Sequence, residues 1–194
     1  MKSVIRAFIA IELSPEIRSK LEAISHLLKN NLKDVPVRWV QPGNIHLTLK
    51  FLGDVSVANL EVLKQALDTE VSTHAAFDIS IGEVGAFPNA RRARVIWIGV
   101  EAPTDLKNIQ HGINVQMERL GYEREARRFS PHLTLGRIAR NANSTHLRKI
   151  GAALESIKVG FLGAVRVQSV YLFKSDLQPA GAIYTCIHTS NLKP

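Results

Sequence analysis

The stretch Asn44–Phe51, NIHLTLKF, decides how this chain is read. In an extended strand, alternate side chains leave opposite faces. Ile45, Leu47 and Leu49 then point one way, and His46 and Thr48 the other. One such pair is the ordinary polar face of a half-buried sheet. The same four letters return in Ser130–Arg137, SPHLTLGR, as His132, Leu133, Thr134 and Leu135. A polar pair repeated on matching apolar anchors needs a common explanation.

The surroundings of the two copies also match. His46 to His132 is 86 positions, Arg6 to Arg94 is 88, and Phe77 to Val165 is 88. In the first half, Arg6–Glu12 is expected as a strand, and a helix follows to about Asn30. Ser14 caps that helix, Pro15 opens it, and Ile17, Leu21, Ile24, Leu27 and Leu28 form its stripe. A short extended piece over Val37–Val40 and a Pro42-Gly43 turn lead into the His46 strand. A helix over Val57 to about Glu70 and a strand over Phe77–Val84 complete the half. The second half repeats the order. Arg94–Val100 is a strand, and a helix capped by Thr104 or Asp105 runs to about Leu120. Arg127–Phe129 is extended, the His132 strand follows, and a helix starts at Ser144 or Thr145. Val165–Lys174 is a strand, and after a turn at 179–181 a last strand covers Ile183–Thr189. The expected fold is α+β and bilobal, one domain over 1–194 built from a duplicated lobe, about 6–90 and 94–175. Each lobe has an antiparallel-rich sheet with two helices, and a cleft lies between them.

The bulk numbers are those of an ordinary globular domain: 194 residues, 45% hydrophobic and 22% charged. No apolar run nears the ~20 residues of a membrane span, and the N-terminal stretch reads as a strand rather than a signal segment. The single cysteine, Cys186, permits no intrachain disulfide and no cysteine-rich metal site. A monomer in the reducing cytoplasm is expected. The formal charge of +8 points to an anionic partner, most simply nucleic acid.

If the lobes face each other, both His-x-Thr faces line one cleft. Two imidazoles can divide acid and base work near neutral pH. In-line displacement at phosphorus needs that division: one group takes a proton from the attacking oxygen, and the other protonates the leaving oxygen. A threonine two residues on shares its histidine's face and can donate to a phosphoryl oxygen. The chemistry calls for no metal and no cofactor.

The two HLTL motifs, with RAFIAIEL, RWVQPGNIHLTLKFLGDV, ARVIWIGV and RRFSPHLTLGRI, resemble the RNA 2′,3′-cyclic phosphodiesterase branch, or 2′-5′ RNA ligase family, of the 2H phosphoesterase superfamily. The resemblance runs from Arg6 to about Thr189. It implies hydrolysis of an RNA terminal 2′,3′-cyclic phosphate to a 2′-phosphomonoester. By the same resemblance His46 is the proton donor, His132 the proton acceptor, and Thr48 and Thr134 hold the phosphate. Arg137 is a further phosphate ligand, although strict alternation puts it opposite His132, so that it needs a twist or bulge to reach the cleft. RNA carrying a cyclic phosphate end or a 2′-5′ linkage is the expected partner, with no membrane. The rivals are a 2′-5′-specific phosphodiesterase or ATP-independent ligase, and a silent RNA-end-binding module.

Phe87, beside Pro88 and Asn89, is a candidate for stacking on a base, and Phe129 a packing residue. Arg91, Arg92 and Arg94, and Arg124, Arg127 and Arg128, can follow an RNA backbone. Lys50 has the same parity problem as Arg137 and is left out of the site. Trp39, Trp97 and the other five histidines read as structural or solvated.

Overall fold

The computed structural model describes residues 3–125, 128–179 and 181–194. Its strands are β1 (Val4–Ile11), β2 (Val37–Trp39), β3 (Leu47–Ser56), β4 (Phe77–Phe87), β5 (Val95–Val100), β6 (His132–Ile138), β7 (Phe161–Val167), β8 (Ser169–Gln178) and β9 (Gly181–Asn191). The α-helices are α1 (Pro15–Asn31), α2 (Leu60–Val71), α3 (Thr104–Arg119) and α4 (Ser144–Ser156). One antiparallel sheet has the order β3-β1-β8-β9, and the other β2-β6-β5-β4-β7. The α+β class and the two-sheet layout are as expected.

Neither sheet is made from one half of the chain. β4, from the first half, pairs with β5, and β8, from the second, pairs with β1. The strand expected over Val165–Lys174 is two strands, β7 and β8. They part at Gln168 and join different sheets. The halves thus trade strands across the molecule, and the shared core follows from this. Buried residues of both sheets and all four helices form one continuous cluster. A small second cluster, Phe8, Ala10 and Phe173, lies on the opposite face of the β3-β1-β8-β9 sheet, with Tyr171 and Tyr184 against it.

Local chemistry sets the helix ends. The Ser14 hydroxyl accepts from the Ile17 N–H at 3.3 Å, and Pro15 opens α1. Ile17, Leu21, Ile24 and Leu28 are buried, but Leu27, expected in that stripe, is 56% exposed. It sits ~100° around the helix from Leu28, past the edge of the packed face. Neither Thr104 nor Asp105 caps α3. Pro103 holds that position without a side-chain bond. Asn143 caps α4, whose first residue is Ser144, through a reciprocal box with His146. A 3-10 turn, Val57–Asn59, opens the stretch read as one helix from Val57. Phe129 packs against the core, but Arg128 and Phe129 form no strand, and Arg127 lies outside the described residues. Among the described residues no helix is long and apolar enough to cross a membrane.

Candidate active site

The four leucines of the motifs, Leu47, Leu49, Leu133 and Leu135, are buried to within 2% exposure, so each strand is anchored with its histidine face outward. Strict alternation then breaks at the same place in both strands. In β3, Ala10 pairs with Thr48 and Ile9 with Lys50, leaving Leu49 as an extra residue. In β6, Trp97 pairs with Thr134 and Ile96 with Gly136, leaving Leu135 extra. Each is a β-bulge, which re-aims every side chain after it. Phe51 returns to the face of His46 and Thr48, opposite Phe8. Arg137 returns to the face of His132 and Thr134, opposite Val95. This resolves the parity conflict of Arg137.

The bulge also sends Lys50 into the core, where it is fully buried. Its Nζ donates to Asn114 Oδ1 at 2.9 Å and to the Glu123 carbonyl at 2.7 Å. Gln110 Nε2 donates to the Leu49 carbonyl at 3.3 Å, serving an acceptor at the bulge. Lys50 therefore braces the strand from behind and stays out of the cleft.

His46 lies half-buried in an aromatic box. Phe8 stacks on it at 4.6 Å, Tyr184 meets it edge-on at 5.3 Å, and Phe173 lies 6.2 Å away. Burial pushes its pKa down to about 4. The Asn44 backbone opposes this, and the Arg18 charge adds to it. His132 is less enclosed. Its Nδ1 is 2.8 Å from the Ser130 carbonyl, which fixes Nδ1 as the protonated nitrogen and leaves Nε2 for chemistry. Phe87 meets its ring edge-on at 4.8 Å. Burial lowers its pKa as well; the Ser130 carbonyl opposes the shift, and Arg137 adds to it.

The two motifs share one cleft. β3 and β6 lie side by side at the seam between the sheets. Tyr184 touches His46, and the Arg137 charge acts on both Tyr184 and His132. Among the described residues neither Thr48 nor Thr134 has a hydrogen-bond partner for its hydroxyl, so both hydroxyls are available to a ligand.

Several cleft residues escaped the sequence reading. Arg38 pairs directly with Arg137, so the two guanidinium groups share a face. Trp97, read as packing, lies beside Phe87 at 5.1 Å and lines a cavity that ends at His132. Strand parity held the signal: Trp97 alternates with the buried Ile96 and Ile98. Arg18 had no local signal, because helix α1 brings it to His46 from a distant segment. Phe51 stands five residues after His46, as Arg137 does after His132, and is 58% exposed. Of the basic clusters, Arg124 and Arg128 border a separate polar cavity with His111, and Arg91 and Arg92 sit in an exposed 3-10 turn against α4. His74 binds Glu70 and His188 binds Asp68, both structural contacts. Among the described residues, no three His, Cys, Asp or Glu side chains gather closely enough to hold a metal ion.

Comparison with known proteins agrees with this geometry. The family model described as "LigT like Phosphoesterase" matches twice, end to end, over residues 11–97 and 98–184. The chain is 36% identical to the RNA 2′,3′-cyclic phosphodiesterase of Methanothermobacter thermautotrophicus, over 93% of this chain and 95% of that protein. It is 34% identical to the protein of the same name from Archaeoglobus fulgidus, over 92% and 96%. Among solved structures it resembles E. coli LigT complexed with 3′-AMP, with a TM-score of 0.76 and 26% identity over 98% and 99% of the two chains. The fold also matches that of TT0787 from Thermus thermophilus, with a TM-score of 0.79 and 24% identity over 97% and 98%. Two matches of one family model, each carrying one His-x-Thr strand of a common cleft, establish that the chain belongs to the LigT-like phosphoesterase family, hydrolytic enzymes of the 2H superfamily.

Proposed function

We propose that the chain hydrolyses a terminal 2′,3′-cyclic phosphate of RNA to a 2′-phosphomonoester, with His132 as general base and His46 as general acid. A water oxygen bonds to phosphorus as its proton passes to His132 Nε2. The bond from phosphorus to the 3′ oxygen breaks as that oxygen takes a proton from His46. Thr48, Thr134 and Arg137 donate to the non-bridging oxygens, where charge develops. One side chain takes up a proton and the other supplies one, so the step balances without a metal.

The observation that carries this reading is the matched bulge. Alternation keeps each histidine and its threonine on one face, and the bulge after Thr134 returns Arg137 to the face of His132. The names of the relatives at 36% and 34% identity support the substrate. An anionic phosphate between the two histidines favours the imidazolium and opposes the downward shift that burial imposes. One chain carries both motifs, so a monomer suffices.

The test is a short RNA ending in a 2′,3′-cyclic phosphate, incubated in EDTA without ATP with wild type, His46→Ala and His132→Ala. Wild type releases the 2′-phosphate, and each variant loses at least ~1,000-fold in rate. Release of the 3′-phosphate, or full activity in either variant, refutes the assignment.

A further inference from the structure

On the far side of His132 from the His46 box, the open face of β4 and β5 holds a cavity of about 530 Å³. Phe87, Trp97 and Phe161 give it aromatic walls. Its floor is left open by glycine. A Cβ on Gly99 would come within 2.9 Å of the Gly82 carbonyl and 3.5 Å of the Trp97 ring. Apart from His132, its titratable side chains are two carboxylates, Glu83 and Glu101, and among the described residues no lysine or arginine lines it. In a chain of net charge +8, this patch repels a phosphate and suits a neutral aromatic group.

Glu83 is held there at some cost. It is the extra residue of a bulge in β4, with φ at +61°, a left-handed conformation that side-chain-bearing residues rarely adopt. Its Cβ stands 4.0 Å from where a Gly99 Cβ would be, beside Trp97 and over the cavity.

In-line displacement places the attacking and leaving oxygens on opposite sides of phosphorus. On the reading above, which this inference rests on, His132 serves the attacking oxygen. When that oxygen belongs to a nucleoside rather than to water, the attached base falls on the His132 side. We propose that this cavity is the subsite for that second nucleoside, and that Glu83, with Glu101, makes it select bases bearing an exocyclic amino group over uracil. A carboxylate accepts from the amino group of cytosine, adenine or guanine, but meets the O4 acceptor of uracil with repulsion. The step balances: the 5′ oxygen bonds to phosphorus as its proton goes to His132, and the bond to the 3′ oxygen breaks as His46 protonates it. The product is a 2′-5′ linkage, which the same groups reverse.

The experiment mixes the cyclic-phosphate RNA with an equimolar excess of cytidine and uridine and separates the two adducts from the 2′-phosphate. Wild type should favour the cytidine adduct by ~10-fold. In Glu83→Gln the ratio should fall to within about twofold of unity, because an amide can also donate to O4. The ratio is internal to each reaction and independent of the variant's stability. Equal yields in wild type, an unchanged ratio in both Glu83→Gln and Glu101→Gln, or 2′-phosphate release with no adduct overturns the subsite alone. Absence of both adduct and 2′-phosphate overturns the underlying reading, and the subsite with it.

Discussion

Phe51 and Arg137 occupy the same place in the two halves: each follows a bulge that turns it onto the face of its strand's histidine. One is an exposed aromatic and the other a cation, so the cleft is symmetric in backbone and asymmetric in chemistry. The residue just before each makes the same point. Lys50 and Gly136 both turn inward. Lys50 finds Asn114 and the Glu123 carbonyl, whereas a Cβ on Gly136 would come within 2.7 Å of Val37 and 3.0 Å of Trp39.

Gly136→Ala should therefore push the edge strand β2 outward and cost ~1–3 kcal/mol. Because β2 carries Arg38 beside Arg137, KM for the cyclic-phosphate RNA should rise as well. Thermal unfolding and steady-state kinetics check the two effects together. Wild-type stability in this variant would mean that β2 moves freely.

Lys50→Ala leaves Asn114 Oδ1 and the Glu123 carbonyl without their buried donor and opens a cavity, for a loss of ~2–4 kcal/mol. Lys50→Met restores the volume but not the donor and should recover only part of that. Denaturant unfolding of both variants separates packing from hydrogen bonding.

Burial lowers both histidines, His46 to about 4, so the acid form is scarce in the free protein at neutral pH. The profile of kcat/KM reports the free enzyme and should peak below ~6.5. The profile of kcat, with an anionic phosphate in place, should peak at a higher pH. Initial rates across the pH range decide this, and coincident optima would contradict it.

The same shift links to stability. Above the ordinary imidazole value of 6.5, His46 is neutral whether folded or unfolded, and the linkage vanishes. As pH falls from there toward about 4, the unfolded chain takes a proton that the folded chain refuses, and stability drops. His46→Phe keeps the aromatic packing and removes the titration. Its stability relative to wild type should improve by about 2 kcal/mol between pH ~8 and pH ~5. Urea unfolding of both proteins at the two pH values gives the difference.

Arg137→Gln should weaken RNA binding and reduce the slope of log affinity against log salt by about 1, as expected for one lost phosphate contact. A slope equal to wild type would place Arg137 off the phosphate.

What is local and periodic was legible from residue order alone. Residue type and spacing were enough for the α1 face of Ile17, Leu21, Ile24 and Leu28, though not for Leu27 at its edge, and for the leucine anchors of both motifs, the duplication of the His-x-Thr pair and the fold class. Caps were legible only in part, since Ser14 does cap α1 while Pro103, not Thr104 or Asp105, holds the cap position of α3. Tertiary structure decided what depends on partners distant in the chain. Which strand lies beside β1 or β5 is a long-range pairing, and alternation in Val165–Lys174 could not reveal that the chain changes sheets at Gln168. The bulges at Leu49 and Leu135 are likewise set by the facing strands, so the side on which Arg137 emerges was open until β5 was in place. The aromatic box that lowers His46, and the approach of Arg18 and Arg38 to the cleft, exist only once separate segments are packed together.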